Sequence, residues 1–134
     1  MIAVDSSVLI DISTNDPDFA QASYDALRDA ISRDDVVVCD AVVAELCATV
    51  DQVEATLDAI TALGIRYSPT AEQAAIRAGI MQRRYRDRGG KRERVISDFL
   101  VGSHALMQCG TLLTRDAGFF RDYFKGLKII NPAA

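Results

Sequence analysis

The sequence predicts an α/β fold in which helices cover both faces of a central parallel sheet. Short, β-branched apolar runs at residues 2–5, 36–39 and 111–114 are typical of strands that are buried on both faces. Segments with helical periodicity separate these runs, and such alternation favours parallel pairing. No repeat, linker or low-complexity tract interrupts the 134 residues, so we expect one domain over residues 1–134.

The first predicted elements are a strand, a helix and a second strand. The strand over residues 2–5 ends at Asp5. Asp16 and Pro17 indicate a helix start, because a capping carboxylate and a proline at the first helical position suit the unpaired N–H groups there. Apolar side chains then recur at helical spacing. The run at residues 36–39 predicts the second buried strand.

The middle of the chain is predicted to be mainly helical. Asp40 is interpreted as the N-cap of the next helix. Helical periodicity continues over residues 50–63, and Gly64 is placed to end it because glycine accepts the left-handed conformation common there. A weak third strand follows at residues 65–67.

The predicted elements of the C-terminal half begin with a long helix. Thr70 and Gln73 have the spacing of a capping box at its start, and the glycines at 89–90 end it. Ser97 is interpreted as the cap of the next helix, which Gly110 ends. The remaining predictions are a strand at 111–114, a short helix at 118–123 and a strand at 128–130.

Four acidic residues stand where these elements begin or end: Asp5, Glu45, Asp98 and Asp116. In a parallel sheet the carboxyl ends of strands and the amino ends of the following helices share one edge, where ligands bind. Four carboxylates at one edge repel one another unless a cation holds them. Hard oxygen donors of this kind suit Mg²⁺, for which Mn²⁺ can substitute. We therefore expect one acidic pocket at that edge.

Each of these acids also has a simpler interpretation. Asp5 or Asp116 alone can be a helix cap, and Asp98, taken as the first residue of its helix, is favoured there by the helix dipole. Glu45 is harder to explain in this way, because it lies in a largely apolar helix where an unpaired carboxylate is costly to bury.

The charge of the chain is unevenly distributed. The net charge is −4, yet residues 83–94 contain seven basic and two acidic residues, so that this basic segment carries +5 and the remainder −9. Three interpretations stay open: a patch that binds nucleic-acid phosphates, a patch that binds acidic groups on a partner protein, or a solvated helix end that its own dipole favours. Because the segment leads into the helix of Asp98, we expect it to flank the acidic pocket.

Composition excludes several classes of protein. His104 is the only histidine and the three cysteines form no CxxC pair, which argues against zinc and favours reduced thiols in a cytoplasmic protein. Asp5 interrupts the first apolar stretch, so no secretory signal is expected. No apolar run approaches the roughly 18 residues of a membrane span.

Four segments resemble, in order, the motifs of the PIN-domain nucleases, and in particular of VapC-like toxins of toxin–antitoxin pairs. The resemblance covers nearly the whole chain. One departure is the stretch after Asp116, where many relatives carry a further acid and this chain has Ala117 and Gly118. The matching segments are MIAVDSSVLID at 1–11, VVAEL at 42–46, ISDFLVGSHA at 96–105 and LLTRDAGF at 112–119.

The resemblance implies a three-layer α/β/α sandwich that cleaves RNA with Mg²⁺, forms a homodimer and is blocked by a cognate antitoxin. Asp5 and Asp98 are then metal ligands, with Asp116 binding directly or through water. Glu45 would hold a second ion or orient the attacking water.

Three further residues are candidates for positioning the substrate. The hydroxyls of Ser6 and Thr114 would bond to the carboxylates or to phosphate. Arg115 would hold the RNA backbone, or else form a simple surface ion pair. The alternative to an endoribonuclease is a scaffold of the same shape that binds RNA or protein without cleavage.

Overall fold

In the computed structural model, which describes residues 1–133, five short strands form one wholly parallel sheet. The strands are β1 (Ile2–Val4), β2 (Val36–Val38), β3 (Arg66–Tyr67), β4 (Thr111–Leu113) and β5 (Lys128–Ile130). Their order in the sheet is β3-β2-β1-β4-β5. The chain therefore runs outward from β1 through β2 to β3 and then crosses back, so that β4 pairs with the other side of β1.

Helices flank this sheet, which confirms the predicted α/β/α sandwich. They are α1 (Ser6–Ser13), α2 (Ala20–Arg33), α3 (Asp40–Thr49), α4 (Val53–Ala62), α5 (Glu72–Asp87), α6 (Ile96–His104) and α7 (Ala117–Tyr123). A π-helical turn, Ala105–Cys109, extends α6 and ends at Gly110, whose φ of +102° a glycine accepts readily. Within residues 1–133, no helix combines the length and apolarity that crossing a membrane requires.

The core lies on both faces of the three central strands. Every residue of β1 and β2 is buried, as are Leu112 and Leu113 of β4. Continuous burial of successive residues requires cover on both faces, since neighbouring side chains in a strand point to opposite sides. An aromatic cluster packs beside β4, with Phe99, Phe119 and Phe124 buried and the Phe99 and Phe119 ring centroids 5.5 Å apart.

Several predicted helix starts were wrong. Asp16 does accept hydrogen bonds from the backbone N–H groups of Asp18 and Phe19, but these residues form a turn, and α2 begins only at Ala20. Asp40 is the first residue of α3, whose N-cap is Cys39. The helix predicted at 50–63 is shorter in the structure, where residues 50–52 separate α3 from α4.

The predicted capping box of Thr70 and Gln73 is absent. The Thr70 hydroxyl donates to the Asp40 carboxylate at 2.6 Å, and α5 begins at Glu72. Ser97 is not the cap of α6, because Val95 is, and Asp98 is therefore the third helical residue rather than the first. The helix α1, which follows directly after Asp5, was not predicted.

The carboxyl ends of β1 and β4 are held in register by backbone hydrogen bonds. The N–H of Asp5 donates to the carbonyl of Leu113 at 2.9 Å, and the N–H of Thr114 donates to that of Ile130 at 3.0 Å. The first residues beyond these two strands are therefore fixed side by side.

The approach of α6 to the aromatic cluster depends on Gly102. A β-carbon built there would lie closer than 3.0 Å to three atoms of the Phe124 ring, which is buried and packed against Phe119 and Phe120. We expect Gly102→Ala to lower the free energy of unfolding by about 1–3 kcal/mol, as overpacking does. Urea unfolding of the variant measures this loss.

The matched control is Gly79→Ala in the interior of α5, where a β-carbon would have no neighbour within 4 Å. There the higher helix propensity of alanine should raise the free energy of unfolding by up to about 1 kcal/mol. Equal effects at both positions would show that the Phe124 contact is not the constraint.

Candidate active site

Asp5 lies between β1 and α1, with its carboxylate buried and fully hydrogen-bonded. Oδ1 accepts from the N–H of Ser6 at 2.8 Å, and Oδ2 accepts from the hydroxyls of Ser7 at 3.0 Å and Thr114 at 2.7 Å. Burial nevertheless raises the pKa of Asp5 to about 6, because these hydrogen bonds only partly offset the lost hydration. Asp5 thus caps α1 and also supplies a buried carboxyl group at the end of the strand.

Glu45 stands beside Asp5 on α3 and is half-buried. Its Oε2 accepts a hydrogen bond from the Ser6 hydroxyl at 3.2 Å. Burial raises the pKa of Glu45, the hydroxyls of Ser6 and Ser97 oppose the rise, and the charge of Asp98 adds to it. The charge of Glu45 in turn raises the pKa of Asp5. Glu45 therefore interacts with both Asp98 and Asp5.

Asp98 and Asp116 complete the acidic edge. One oxygen of Asp98 accepts from the N–H of Val95 at 2.9 Å, which ties the carboxylate to the start of α6. Burial raises the pKa of Asp98 and so does the charge of Asp116, whereas Arg94 lowers it. The N–H of Asp116 donates to the Thr114 hydroxyl at 2.9 Å, and that hydroxyl donates onward to Asp5.

Asp116 is paired with a cation from the basic segment. Both oxygens of its carboxylate accept hydrogen bonds from the guanidinium of Arg94, and the Nη2–Oδ1 distance is 3.2 Å. The same guanidinium lies 4.1 Å from the centroid of the Phe119 ring. Within residues 1–133, no three Asp, Glu, His or Cys side chains are gathered closely enough to hold a metal ion in this conformation.

The chemistry of the four acids nonetheless fits a divalent metal ion. All donors are hard oxygens, as Mg²⁺ and Mn²⁺ prefer. Asp5, Glu45 and Asp98 all have raised pKa values because burial and mutual repulsion disfavour their charges. Among the described residues neither Asp5 nor Glu45 has an ion-pair partner. A bound cation would offset these unfavourable charges.

Arg115, the candidate for holding RNA, is engaged inside the protein. Its Nη2 donates to Oδ1 of the buried Asp11 at 2.9 Å, and its guanidinium lies 4.0 Å from the Phe19 ring centroid. Ser23 donates a further hydrogen bond to Asp11 at 3.0 Å. Arg115 therefore forms an ion pair, as one of the two interpretations of the sequence had it, but its partner Asp11 is buried rather than on the surface.

Four residues at the acidic edge were not predicted from the sequence to belong to the site: Ser7, Arg94, Ser97 and Asp11. Ser7 and Ser97 adjoin the acidic motifs, so their position was a usable signal. Arg94 was visible only as one of seven basic residues, because nothing local distinguishes it from the others. The burial of Asp11 could not be predicted without α1, because Asp11 lies on the inward face of that helix.

The three cysteines are free, with Cys39 buried and the other two half-buried. Burial raises the pKa values of Cys39 and Cys109, which keeps these thiols in their unreactive protonated form.

The family model of the PIN domain matches residues 2–125. The chain belongs to the PIN domain family. No curated protein sequence matches it. The matched residues include all four acids together with Arg94 and Arg115, so the whole acidic edge lies within the matched part of the chain.

Solved PIN-domain structures have the same fold at low sequence identity. VapBC-1 from nontypeable Haemophilus influenzae is 19% identical over the whole of both chains, with a TM-score of 0.73. VapBC2 from Rickettsia felis, solved bound to a DNA fragment from its promoter, is 18% identical over 98% of each chain, also at 0.73. VapC20 from Mycobacterium tuberculosis, a toxin that cleaves the sarcin–ricin loop, is 12% identical over 96% of this chain and 99% of its own, at 0.72.

The raised pKa of Asp5 predicts a pH-dependent stability in the metal-free protein. The folded pKa of about 6 exceeds the ordinary 3.8, so the folded state binds more protons between these values and the contribution of Asp5 to stability falls as pH rises. Asp5→Asn removes the ionisation. We expect the free energy of unfolding of the variant, relative to that of the wild type, to increase by roughly 1–3 kcal/mol between pH 4.5 and pH 7.5.

Urea unfolding in EDTA at the two pH values measures this difference. The control is Asp58→Asn on α4, an exposed residue, for which the difference from wild type should be the same at both pH values. A constant gap between Asp5→Asn and wild type would show that Asp5 does not titrate in this range.

Proposed function

We propose that this PIN domain is a Mg²⁺-dependent endoribonuclease that acts as the toxin of a toxin–antitoxin pair. The observation that carries the proposal is the acidic edge, where the buried Asp5 and the half-buried Glu45 are hydrogen-bonded only to uncharged donors. Keeping such carboxylates charged is unfavourable unless a cation binds between them. A structural role alone would be served better by neutral residues at the same places.

In this proposal Asp5 and Asp98 bind the metal ion, and Asp116 binds it directly or through water. When bound, Mg²⁺ supplies a Lewis acid and lowers the pKa of a coordinated water. Ser6, Ser7 and Thr114 hold the acidic groups in position through the hydrogen bonds described above. Mn²⁺ is expected to substitute for Mg²⁺, since both take oxygen ligands.

Glu45 has a separate task, to hold a second ion or to orient the attacking water. Its raised pKa makes it a better proton acceptor than an ordinary carboxylate. The hydroxyl of Ser6 fixes the direction of its carboxylate towards Asp5.

A cognate antitoxin and a homodimeric state are part of the proposal. Support for the antitoxin comes from structural neighbours that were solved as toxin–antitoxin complexes, including one from Klebsiella pneumoniae. We also place the protein in the cytoplasm, where its RNA substrate would be.

The second candidate, a PIN domain that binds RNA or protein without cleavage, is favoured by two observations. Asp116 is already neutralised by Arg94, and the described residues contain no ready-made metal cluster. The two candidates differ in a single outcome, namely whether RNA is cut when a divalent ion is added.

Asp98→Asn tests the catalytic proposal. The amide has the same size but supplies less negative charge to a metal ion, so we expect at least a hundredfold loss of Mg²⁺- or Mn²⁺-dependent RNA cleavage with the fold intact. A labelled RNA cleavage assay, with EDTA as the metal-free reference, measures the loss. Circular dichroism and urea unfolding verify the fold.

The control for this substitution is Asp58→Asn, an exposed acid on α4 outside the basic segment, which should cleave at the wild-type rate. Wild-type cleavage by folded Asp98→Asn would reject the assignment. Binding of RNA by the wild type without metal-dependent cleavage would favour the non-catalytic module.

The basic segment is proposed to bind the RNA backbone. Arg86, Arg88 and Lys91 are exposed, and the segment ends at Arg94, which reaches the acidic edge. Replacing these three exposed residues by alanine should weaken RNA binding and reduce the slope of log K against log salt by roughly one for each lost phosphate contact. Fluorescence anisotropy with labelled RNA at several salt concentrations measures the slope.

The matched control removes three basic residues at the opposite edge of the sheet, Arg33, Lys125 and Lys128, which precede or begin β2 and β5. This control has the same change in net charge and should keep the wild-type slope. An unchanged slope in the first triple variant would leave antitoxin binding as the candidate role of the segment.

A further inference from the structure

We propose that Arg94 is a positioning residue that occupies Asp116 in the free protein in place of a divalent cation, and that an RNA phosphate draws it away. Metal binding and RNA binding would then support each other through the movement of one side chain. The inference rests on the proposed function, since it presumes that Asp116 binds metal and that RNA is the substrate.

The guanidinium of Arg94 is held by several contacts at once, unlike an isolated surface ion pair. Its guanidinium donates to both oxygens of Asp116 in a two-pronged arrangement, which gives directional as well as electrostatic attraction. The ring of Phe119 supports the flat face of the guanidinium, and three-quarters of the Arg94 side chain is withdrawn from solvent. The side chain is therefore held in one orientation before any ligand arrives.

This pairing divides the acidic edge into two halves. Asp116 has a counter-charge, and the charge of Arg94 also reaches Asp98 and lowers its pKa. Asp5 and Glu45 accept hydrogen bonds only from hydroxyl and amide donors. A metal ion shared by Asp5, Asp98 and Asp116 must therefore displace the guanidinium from at least one oxygen, which weakens metal binding in the free protein.

The chain around Arg94 leaves room for this displacement. Residues 88–95 connect α5 to α6 without helix or strand, and residues 91–93 and Val95 are exposed. Within the connection, the N–H of Arg94 reaches the carbonyl of Lys91 only at 3.4 Å. Once released from Asp116, the guanidinium remains beside the acidic edge, with exposed basic residues preceding it along the chain. Phosphate is the anion that its two-pronged geometry matches next best.

The test compares Mn²⁺ binding to the metal-free full-length protein by isothermal titration calorimetry. Arg94→Gln should bind Mn²⁺ roughly three- to tenfold more tightly than the wild type, the range expected for loss of a partly exposed competing ion pair. Arg94→Lys keeps the charge but loses the two-pronged contact, and should lie between the two. The control is Arg77→Gln on α5, which removes an exposed positive charge outside the basic segment and should change the affinity less than twofold.

Cleavage kinetics provide the RNA arm of the test. Arg94→Gln should reach half-maximal rate at a lower Mn²⁺ concentration, yet show a KM for RNA at least threefold higher, because the phosphate partner is lost. Arg77→Gln should change neither value by more than twofold.

The outcomes separate the inference from the function on which it rests. Mn²⁺ binding that Asp98→Asn abolishes, but that is equal in wild type and Arg94→Gln, would overturn the inference alone. An unchanged KM in Arg94→Gln would also overturn it, since RNA would then not be the partner that releases Arg94. Absence of any Mn²⁺ binding or metal-dependent cleavage by the wild type would overturn the proposed function and the inference together.

Discussion

The architecture of the acidic edge depends on burying the carboxylate of Asp5 between two neighbouring strands. An isolated carboxylate is costly to remove from water, so the surrounding chain must supply donors. Those donors come from two distant parts of the sequence: the start of α1, through Ser6 and Ser7, and the end of β4, through Thr114. The pairing of β1 with β4 is therefore a condition for the site as well as for the core.

The hydrogen bonds spread outward from this buried group. Thr114 donates to Asp5 and accepts from the N–H of Asp116, while Ser6 gives its N–H to Asp5 and its hydroxyl to Glu45. Each small polar residue thus fixes two acidic positions at once. Shifting any one of them would disturb its neighbour, which explains how short side chains can hold several repelling carboxyls at one edge.

The two arginines nearest the acids show a different balance of forces. Arg94 and Arg115 each bind an aspartate with two nitrogen atoms, and each rests on an aromatic ring, at 4.1 and 4.0 Å from the centroid. Asp11, the partner of Arg115, is almost fully buried, whereas Asp116 is about 40% exposed. The Arg115–Asp11 pair is therefore the harder to separate, and the Arg94–Asp116 pair is the one that a competing ligand can open.

The sequence was sufficient for the sheet and for placing Asp5 and Asp116 just beyond β1 and β4, because both follow from local patterns. Apolar runs identify buried strands, and an acid next to such a run must lie at the edge of the sheet. Helix starts were less predictable, since the side chains at those points found distant partners: Thr70 bonds to Asp40, thirty residues away in sequence. The pairing of Arg115 with Asp11 spans 104 residues and depends on tertiary packing that no local pattern encodes.

The strand order β3-β2-β1-β4-β5 has a consequence for how such a domain can change its chemistry. Because the connections leaving β1 and β4 run to opposite sides, the chain diverges above these two strands and a crevice opens there whatever residues line it. The crevice is a property of connectivity, and its lining is a property of a few residues just beyond the strands. New chemistry can therefore be acquired by replacing side chains at the rim, while the sheet that creates the opening keeps its sequence requirements unchanged.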